Sequence, residues 1–326
     1  MSSVRRILVA LKNTEASKSP AALKAAQLAR GFGARLELFH AIDTPLYVDL
    51  PGMPVSLTRM KRQIQKLRLA ELERIANTIR RRGLNVTTAV DWDYPSYEAI
   101  VRRALRTRAD LIVAERHAGR HVAPWLLHMA DWELLRLSPL PVLIVKNPRL
   151  YARPTVLAAV DPTHQFAKPA RLDEEILRRG AAVAGALRGT LHAAHAYVPL
   201  PEDVDMDEPW SRNLTSGIEK RAAARAQANF ARSLRASKIA AKRRHLVEDR
   251  PMLAIPRVAR ATRSAIVVMG AISRSGLKGA FIGNTAERVL DELACDLLVV
   301  KPARFANRVQ RAGRGVRLAT MPPAYA

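Results

Sequence analysis

Short apolar runs alternate with longer amphipathic stretches along the whole chain. The first two runs, Ile7–Leu11 and Leu36–Ile42, flank the alanine-rich stretch SPAALKAAQLARGF. In the next stretch, apolar residues from Met60 to Ile79 recur at the spacing of one helix face. Buried strands that alternate with helices are typical of a parallel sheet covered on both faces. The pattern therefore predicts an α/β fold in which ligands collect at the carboxyl ends of the strands.

The second half of the chain repeats the first. Val113–Lys146 and Val268–Lys301 superpose without a gap at an offset of 155 residues, and the same offset places His40 on His195. The proline-containing stretch KNPRLYARP separates the two copies. We therefore predict two tandem domains and a separate C-terminal tail, with the boundaries 1–148, 154–302 and 303–326.

Composition places the chain among globular proteins. Of its 326 residues, 48% are hydrophobic and 25% are charged, and no apolar run is long enough to form a membrane-spanning helix. The single cysteine, Cys295, excludes an internal disulfide and fits a reducing compartment. The sequence around it, LACDLLVV, favours a small buried apolar residue over a reactive thiol. We therefore expect a cytoplasmic protein.

The formal net charge of +25 is the unusual feature of the composition. Basic residues concentrate in Arg232–Arg244 and in the tail after Pro302, which contains five arginines and no acidic residue. This pattern predicts a disordered or partner-ordered tail. An excess of this size implies attraction to a polyanion, so nucleic-acid binding through the basic surface and the tail is one functional alternative. The other interpretation is a solubilising face, with the acidic run Pro201–Pro209 as a loop that pairs with it.

A glycine-rich stretch, MGAISRSGLKGAFIGNTAE, follows the apolar run AIVVM in the second half. Glycines allow backbone N–H groups to approach phosphate oxygens closely. The segment NTAERVL then begins a helix whose free N–H groups attract an anion. The stretch is therefore a candidate phosphate-binding loop, and the alternative is a glycine-rich turn that serves packing.

These motifs resemble the universal stress protein family in its tandem form. The resemblance rests on ILVALK, on VLAAVD and on VVMGAISRSGLKGAFIGNTAERVLDELACDLLVVKP, and it extends over nearly all of residues 4–302. It implies two Rossmann-like domains of the adenine nucleotide alpha hydrolase-like type, each with a five-stranded parallel sheet. It also implies a cytoplasmic, regulatory role under stress. Some members of the family bind ATP through a Gly-x2-Gly-x9-Gly-(Ser/Thr) loop and an aspartate at the end of the first strand, and others bind none.

Carried over to the second domain, the resemblance makes ATP the candidate ligand, although no cofactor is certain. Asp161 matches the aspartate of the first strand, Gly270 and Gly283 match the first and third glycines, and Ser273 replaces the second glycine. The candidate nucleotide-binding residues are Asp161, Gly270, Ser273, Gly276, Gly283, Asn284 and Thr285.

The first domain departs further from the family pattern. Lys12 stands at the aspartate position, and Glu115, Ala118, His128 and Met129 stand at the loop positions. A carboxylate repels phosphate, and the larger side chains fill space. We therefore expect the first domain to carry a degenerate site.

No catalytic residue is predicted. The chain lacks the Lys-Ser/Thr pair of a Walker loop and the Gly-x-Ser-x-Gly elbow of a hydrolase, so we expect a binding protein, with a weak ATPase as a further alternative. His117, His121 and His128 have no known metal-ligand spacing, so no metal site is predicted. The expected partners are an anionic small molecule or nucleotide and other proteins. The two domains are expected to form an internal pseudo-dimer, and a homodimer is the further possibility.

Overall fold

The computed structural model describes nine parts of the chain and divides into two compact units. The described residues are 4–16, 19–47, 57–116, 124–162, 171–199, 209–270, 289, 291–302 and 305–319. Unit 1 contains Met1–Leu150 together with Ala306–Ala326, and unit 2 contains Tyr151–Phe305.

Unit 1 alternates strands and helices and recruits one strand from the end of the chain. Its elements are β1 Arg6–Ala10, α1 Pro20–Phe32, β2 Arg35–Ile42, β3 Leu46–Tyr47, α2 Leu57–Arg80, β4 Val86–Trp92, α3 Ser96–Arg106, β5 Leu111–Glu115, α4 Pro124–Leu137, β6 Val142–Val145 and β12 Leu318–Ala319.

The five main strands of unit 1 form a parallel sheet in the order β4-β2-β1-β5-β6. Central strands of a covered parallel sheet are apolar on both faces. Accordingly, Ile7, Leu8 and Val9 of β1 are completely buried. Helix α1 begins at Ser19, whose hydroxyl accepts a hydrogen bond from the Ala22 amide, and it ends at a left-handed glycine, Gly33.

Unit 2 repeats this arrangement. Its elements are β7 Thr155–Ala159, α5 Leu172–Ala186, β8 Thr190–Tyr197, α6 Pro209–Ser233, a 3₁₀ turn at Ala241–Arg243, β9 Arg244–Glu248, α7 Pro251–Ala261, β10 Ser264–Gly270 and β11 Asp296–Val300. Five parallel strands follow the order β11-β10-β7-β8-β9. The predicted α/β fold, with a five-stranded parallel sheet in each repeat, is therefore confirmed.

The start of unit 2 is fixed by a buried tyrosine from the junction between the repeats. The Tyr151 hydroxyl donates a hydrogen bond of 2.5 Å to Oδ2 of Asp296, and both side chains are buried. Burial, together with the adjacent Asp296 carboxylate, raises the pKa of Tyr151 well above its usual value. Cys295 next to this pair is buried, as its sequence context predicts.

The C-terminal segment differs from the predicted separate tail, because its described part packs on unit 1. Strand β12 pairs in parallel with β3, and the Leu46 amide donates to the Arg317 carbonyl at 2.8 Å. The Arg314 amide donates to Asp93 at 2.7 Å, and its guanidinium donates to Glu98 at 3.0 Å. A basic segment without acidic residues of its own predicts disorder, but Arg314 bonds to acidic residues from another part of the chain.

Candidate functional site

The carboxyl ends of two neighbouring strands of unit 2 bring two of the candidate residues together. Asp161 lies two residues beyond β7, and Gly270 is the last residue of β10. The register of these parallel strands pairs Met269 with Ala159. Asp161 and Gly270 therefore lie side by side at the ligand edge of the sheet, as the general rule for such sheets predicts.

Two contacts hold the backbone at Asp161. Its amide donates to both carboxylate oxygens of Asp173 in the first turn of α5, at 3.0 and 3.1 Å. The Nδ1–H group of His195 donates to the carbonyl of Val160 at 3.3 Å, because a carbonyl can only accept. Asp161 and Asp173 are both buried. The strand end is thus anchored through its backbone.

Gly270 has a packing role that needs no ligand. A Cβ at this position would lie 2.4 Å from Cδ2 of Leu172, the first residue of α5. Leu172 is itself buried, so the glycine lets the helix begin close to the strand end. The interpretation of this glycine as a packing residue therefore has direct structural support.

The remaining candidate residues, Ser273, Gly276, Gly283, Asn284 and Thr285, lie outside the described residues. The structure therefore describes the two strand ends of the candidate site but not the glycine-rich stretch that follows Gly270.

Lys301 is a residue near this site that the sequence reasoning did not select. It follows β11, whose last residue, Val300, pairs with Gly270. The side chain is buried, and its ammonium group lies 4.6 Å from the centre of the Phe305 ring. Burial lowers the pKa of Lys301 from 10.5 to about 8. The signal in the sequence is the alignment of Lys301 with Lys146 across the repeat.

The substitution Lys301→Met should stabilise unit 2 relative to the wild type at pH 7. This gain should disappear at alkaline pH. Between pH 8 and 10.5 the unfolded chain binds more protons than the folded chain, so the stability of the wild type rises with pH across this window. Below pH 8 the buried Lys301 ammonium lowers the free energy of unfolding by up to ~3 kcal/mol. The substitution removes this cost but also removes the contact with the Phe305 ring, which reduces the gain. Urea unfolding at pH 7 and pH 10 measures the difference. Lys146→Met, at the half-buried equivalent position, is the control and should change less; an equal gain at both pH values would contradict the account.

The same edge of unit 1 is occupied by its own charged side chains. Glu115, at the position of Gly270, accepts hydrogen bonds from the Ser19 hydroxyl at 2.6 Å and from the Ala21 amide at 3.0 Å. Its carboxylate therefore takes the favourable place for an anion at the N-terminus of α1. Lys12, at the position of Asp161, forms an ion pair of 2.6 Å with the buried Asp131. The two side chains that depart from the family pattern, Glu115 and Lys12, thus both have partners within the chain.

The repeat-matched histidines have a structural role. His40 forms a hydrogen bond of 2.8 Å with the Leu11 carbonyl, which is the unit 1 counterpart of the contact between His195 and Val160. Burial lowers the pKa of His40, so the neutral ring is favoured. His117 and His121, which the sequence analysis weighed as metal ligands, lie outside the described residues, as does the side chain of His128.

The described residues contain neither a cluster of metal-ligating side chains nor a membrane-spanning helix. Within these ranges, no group of three or more His, Cys, Asp or Glu side chains is arranged to hold a metal ion. Among the described helices, none is long and apolar enough to cross a membrane.

Comparison with known proteins assigns the family. The model of the universal stress protein family matches residues 3–146 and 155–301. Universal stress protein E of Photorhabdus laumondii is 25% identical over 316 residues, which cover 96% of this chain and 99% of the relative. Universal stress protein E of Escherichia coli K12 is 26% identical over 294 residues, covering 89% and 92% of the two chains.

Solved structures agree with this assignment. A crystal structure of a functionally unknown protein from Pseudomonas aeruginosa PAO1 is 26% identical, with a TM-score of 0.66 and coverage of 92% and 93%. A universal stress protein from Archaeoglobus fulgidus, 15% identical with a TM-score of 0.58 over 91% of this chain and 97% of that chain, shares the fold. The chain therefore belongs to the universal stress protein family and is a tandem-domain stress-response protein of the universal stress protein E type.

Proposed function

We propose that this protein is a cytoplasmic stress-response regulator that binds ATP, or another anionic nucleotide, at the carboxyl edge of the unit 2 sheet. The difference between the two repeats carries the proposal. Unit 2 presents a glycine and a buried aspartate at neighbouring strand ends, whereas unit 1 fills the same edge with Glu115 and the pair of Lys12 and Asp131.

The chemistry of the site divides between two groups. The Asp161 carboxylate is suited to accept hydrogen bonds from amino or hydroxyl groups of a ligand, and together with Asp173 it would repel a phosphate. The phosphates are therefore assigned to the glycine-rich stretch after Gly270, whose backbone N–H groups suit an anion. Lys301, at the end of the adjacent strand, adds a cation near this edge.

The proposed role is regulatory. Nucleotide occupancy of unit 2 would be reported to protein partners, without turnover of a metabolite. No described side chain pairs a nucleophile with a base at this edge, and the weak ATPase alternative predicts that bound ATP is converted to ADP. Release of phosphate from a stoichiometric complex over hours would favour that alternative.

Equilibrium dialysis with labelled ATP tests the site. Asp161→Ala should weaken ATP binding by about tenfold or more, because a hydrogen bond to a charged group contributes ~1.5–3 kcal/mol. The contact of Asp173 with the Asp161 amide survives this substitution, since it involves the backbone. Gly283→Glu should abolish binding by placing a carboxylate among the phosphates, while His128→Glu at the matched position of unit 1 should change nothing. Unchanged affinity in Asp161→Ala and Gly283→Glu would refute the site.

A further inference from the structure

A broad cavity of about 1250 Å³ lies in unit 2, where it begins at Pro162, next to Asp161, and extends along α5 to Thr190 at the start of β8. One face of α5, from Asp173 to Gly185, forms one wall, and the C-terminal part of α6, from Arg225 to Ser233, forms the other. The turn that follows α6 and the first residues of β8 close it. We call this cavity the α5–α6 groove.

Basic side chains dominate the lining of the α5–α6 groove. Two lining residues, Asp173 and Glu174, are acidic, and Asp173 is already bonded to the Asp161 amide. One lining arginine, Arg178, is neutralised by Glu175 at 2.6 Å. Six further basic side chains line the groove and make no ion pair with any described residue: Arg171, Arg225, Arg232, Arg235, Lys238 and Arg243.

The placement of these charges follows from local structure. Arg225 and Arg232 are seven residues apart on one face of α6, which corresponds to about 10.5 Å along the helix axis. Arg232 lies in the last turn, where the helix dipole favours a cation. Arg235 and Lys238 follow in the turn after the helix and are exposed to solvent. The result is an extended row of cations rather than a single positive point.

The lining favours a phosphate backbone over other anionic partners. Guanidinium groups bind phosphate through two parallel hydrogen bonds. No aromatic side chain lines the described groove, so it offers no platform for stacked bases and no aromatic anchor typical of a protein interface. The volume also exceeds the ~300–1,000 Å³ typical of pockets for small ligands. An extended, regularly charged ligand fits these features best.

We propose that the α5–α6 groove binds the phosphate backbone of nucleic acid without reading its bases. This site differs from the C-terminal tail, which the sequence analysis named as a nucleic-acid binding segment on the basis of its charge. In the tail, Arg314 is bonded to Asp93 and Glu98, and Arg314 and Arg317 both lie over the Tyr94 ring. Among the described residues, the groove therefore holds more cations without an ion-pair partner than the tail does.

A charge-reversal experiment tests the proposal on the full chain. The variant Arg225→Glu, Arg235→Glu, Lys238→Glu changes three exposed side chains in the groove. The control Arg62→Glu, Lys66→Glu, Arg81→Glu makes the same change of charge on exposed positions at α2 and just beyond its end, in the matching region of unit 1. Fluorescence anisotropy measures binding to a single-stranded RNA and a duplex DNA of equal length, with inorganic polyphosphate and polyglutamate as competitors.

The groove variant should lose at least about 30-fold in nucleic-acid affinity at moderate salt, and the control less than about threefold. The slope of log K against log salt should fall by about 2–3 in the groove variant, because three phosphate contacts are removed. Equal losses in both variants, or none in either, would overturn the proposal. So would binding of polyphosphate without nucleic acid, or stronger competition by polyglutamate than by polyphosphate.

A milder variant keeps the test valid if the triple variant does not fold. Arg235→Gln with Lys238→Gln removes two exposed charges and should weaken nucleic-acid binding by about fivefold, at an unchanged melting temperature. ATP affinity should stay at the wild-type value in this variant, because neither residue lies at the strand ends of the nucleotide site. The groove and the nucleotide site can therefore fail independently.

Discussion

Replacing Arg102 with methionine should cost unit 1 about 3–5 kcal/mol of unfolding free energy, the typical penalty for removing one partner of a buried ion pair. Arg102 is 8% exposed. Its guanidinium donates to Asp93 at 2.8 Å and to Glu98 at 2.9 Å. Without it, the buried Asp93 carboxylate and the half-buried Glu98 carboxylate are left close together, supported only in part by Arg314.

The same substitution one turn further along α3 provides the control. Arg106→Met removes an ion pair of 2.6 Å with Asp91, but the Arg106 side chain is 60% exposed, so the cost should stay below about 1 kcal/mol. Arg102→Met should also speed hydrogen exchange in residues 310–318, because Arg102 helps to hold the Gln310 carbonyl. Equal costs in the two variants would contradict this account of how the C-terminal segment is anchored.

Replacing Gly189 with alanine should destabilise unit 2 by about 1–3 kcal/mol, as expected for forced overpacking. A Cβ at Gly189 would lie 2.1 Å from the backbone carbonyl oxygen of Pro154, and backbone cannot rotate away as a flexible side chain can. That carbonyl also accepts a hydrogen bond from the Thr190 amide, which joins the starts of β7 and β8. Urea unfolding measures the loss.

Gly185→Ala makes the identical chemical change four residues earlier. No atom lies within 4 Å of a Cβ at Gly185, and the residue belongs to α5, so stability should stay unchanged or rise by up to about 1 kcal/mol. In unit 1, the position that matches Gly189 is occupied by a buried alanine, Ala34. The expected penalty therefore belongs to the close approach of Pro154 in unit 2 and not to this position of the fold in general. Equal stability of the two alanine variants would show that the close approach to Pro154 is not a constraint.

The parts of the fold that follow from the sequence are those set by continuous local patterns. Strands such as β5 and β11 are apolar along nearly their whole length, which is typical of a covered parallel sheet and leaves little alternative. The repeat then assigns the same order to both halves. At the candidate site, Asp161 and Gly270 are found because each ends a predictable strand, and Lys301 could have been found through its alignment with Lys146.

Features that depend on distant partners escape this reasoning. Arg314 bonds to Asp93 and Glu98, which precede it by 221 and 216 residues, so its basic neighbourhood alone predicts disorder. The α5–α6 groove depends on the space left between two helices, which neither helix pattern reveals. The hydrogen bonds of Glu115 with Ser19 and Ala21 likewise explain why unit 1 differs, but they require the helix to be in place.

The central claim is that the two repeats have diverged, so that only unit 2 binds a nucleotide. Native mass spectrometry of the full chain in excess ATP tests this most directly, because it counts ligands on each molecule. The account predicts one nucleotide per chain, retained in His128→Glu and lost in Gly283→Glu. Two nucleotides per chain, none, or a single one that persists in Gly283→Glu would contradict it.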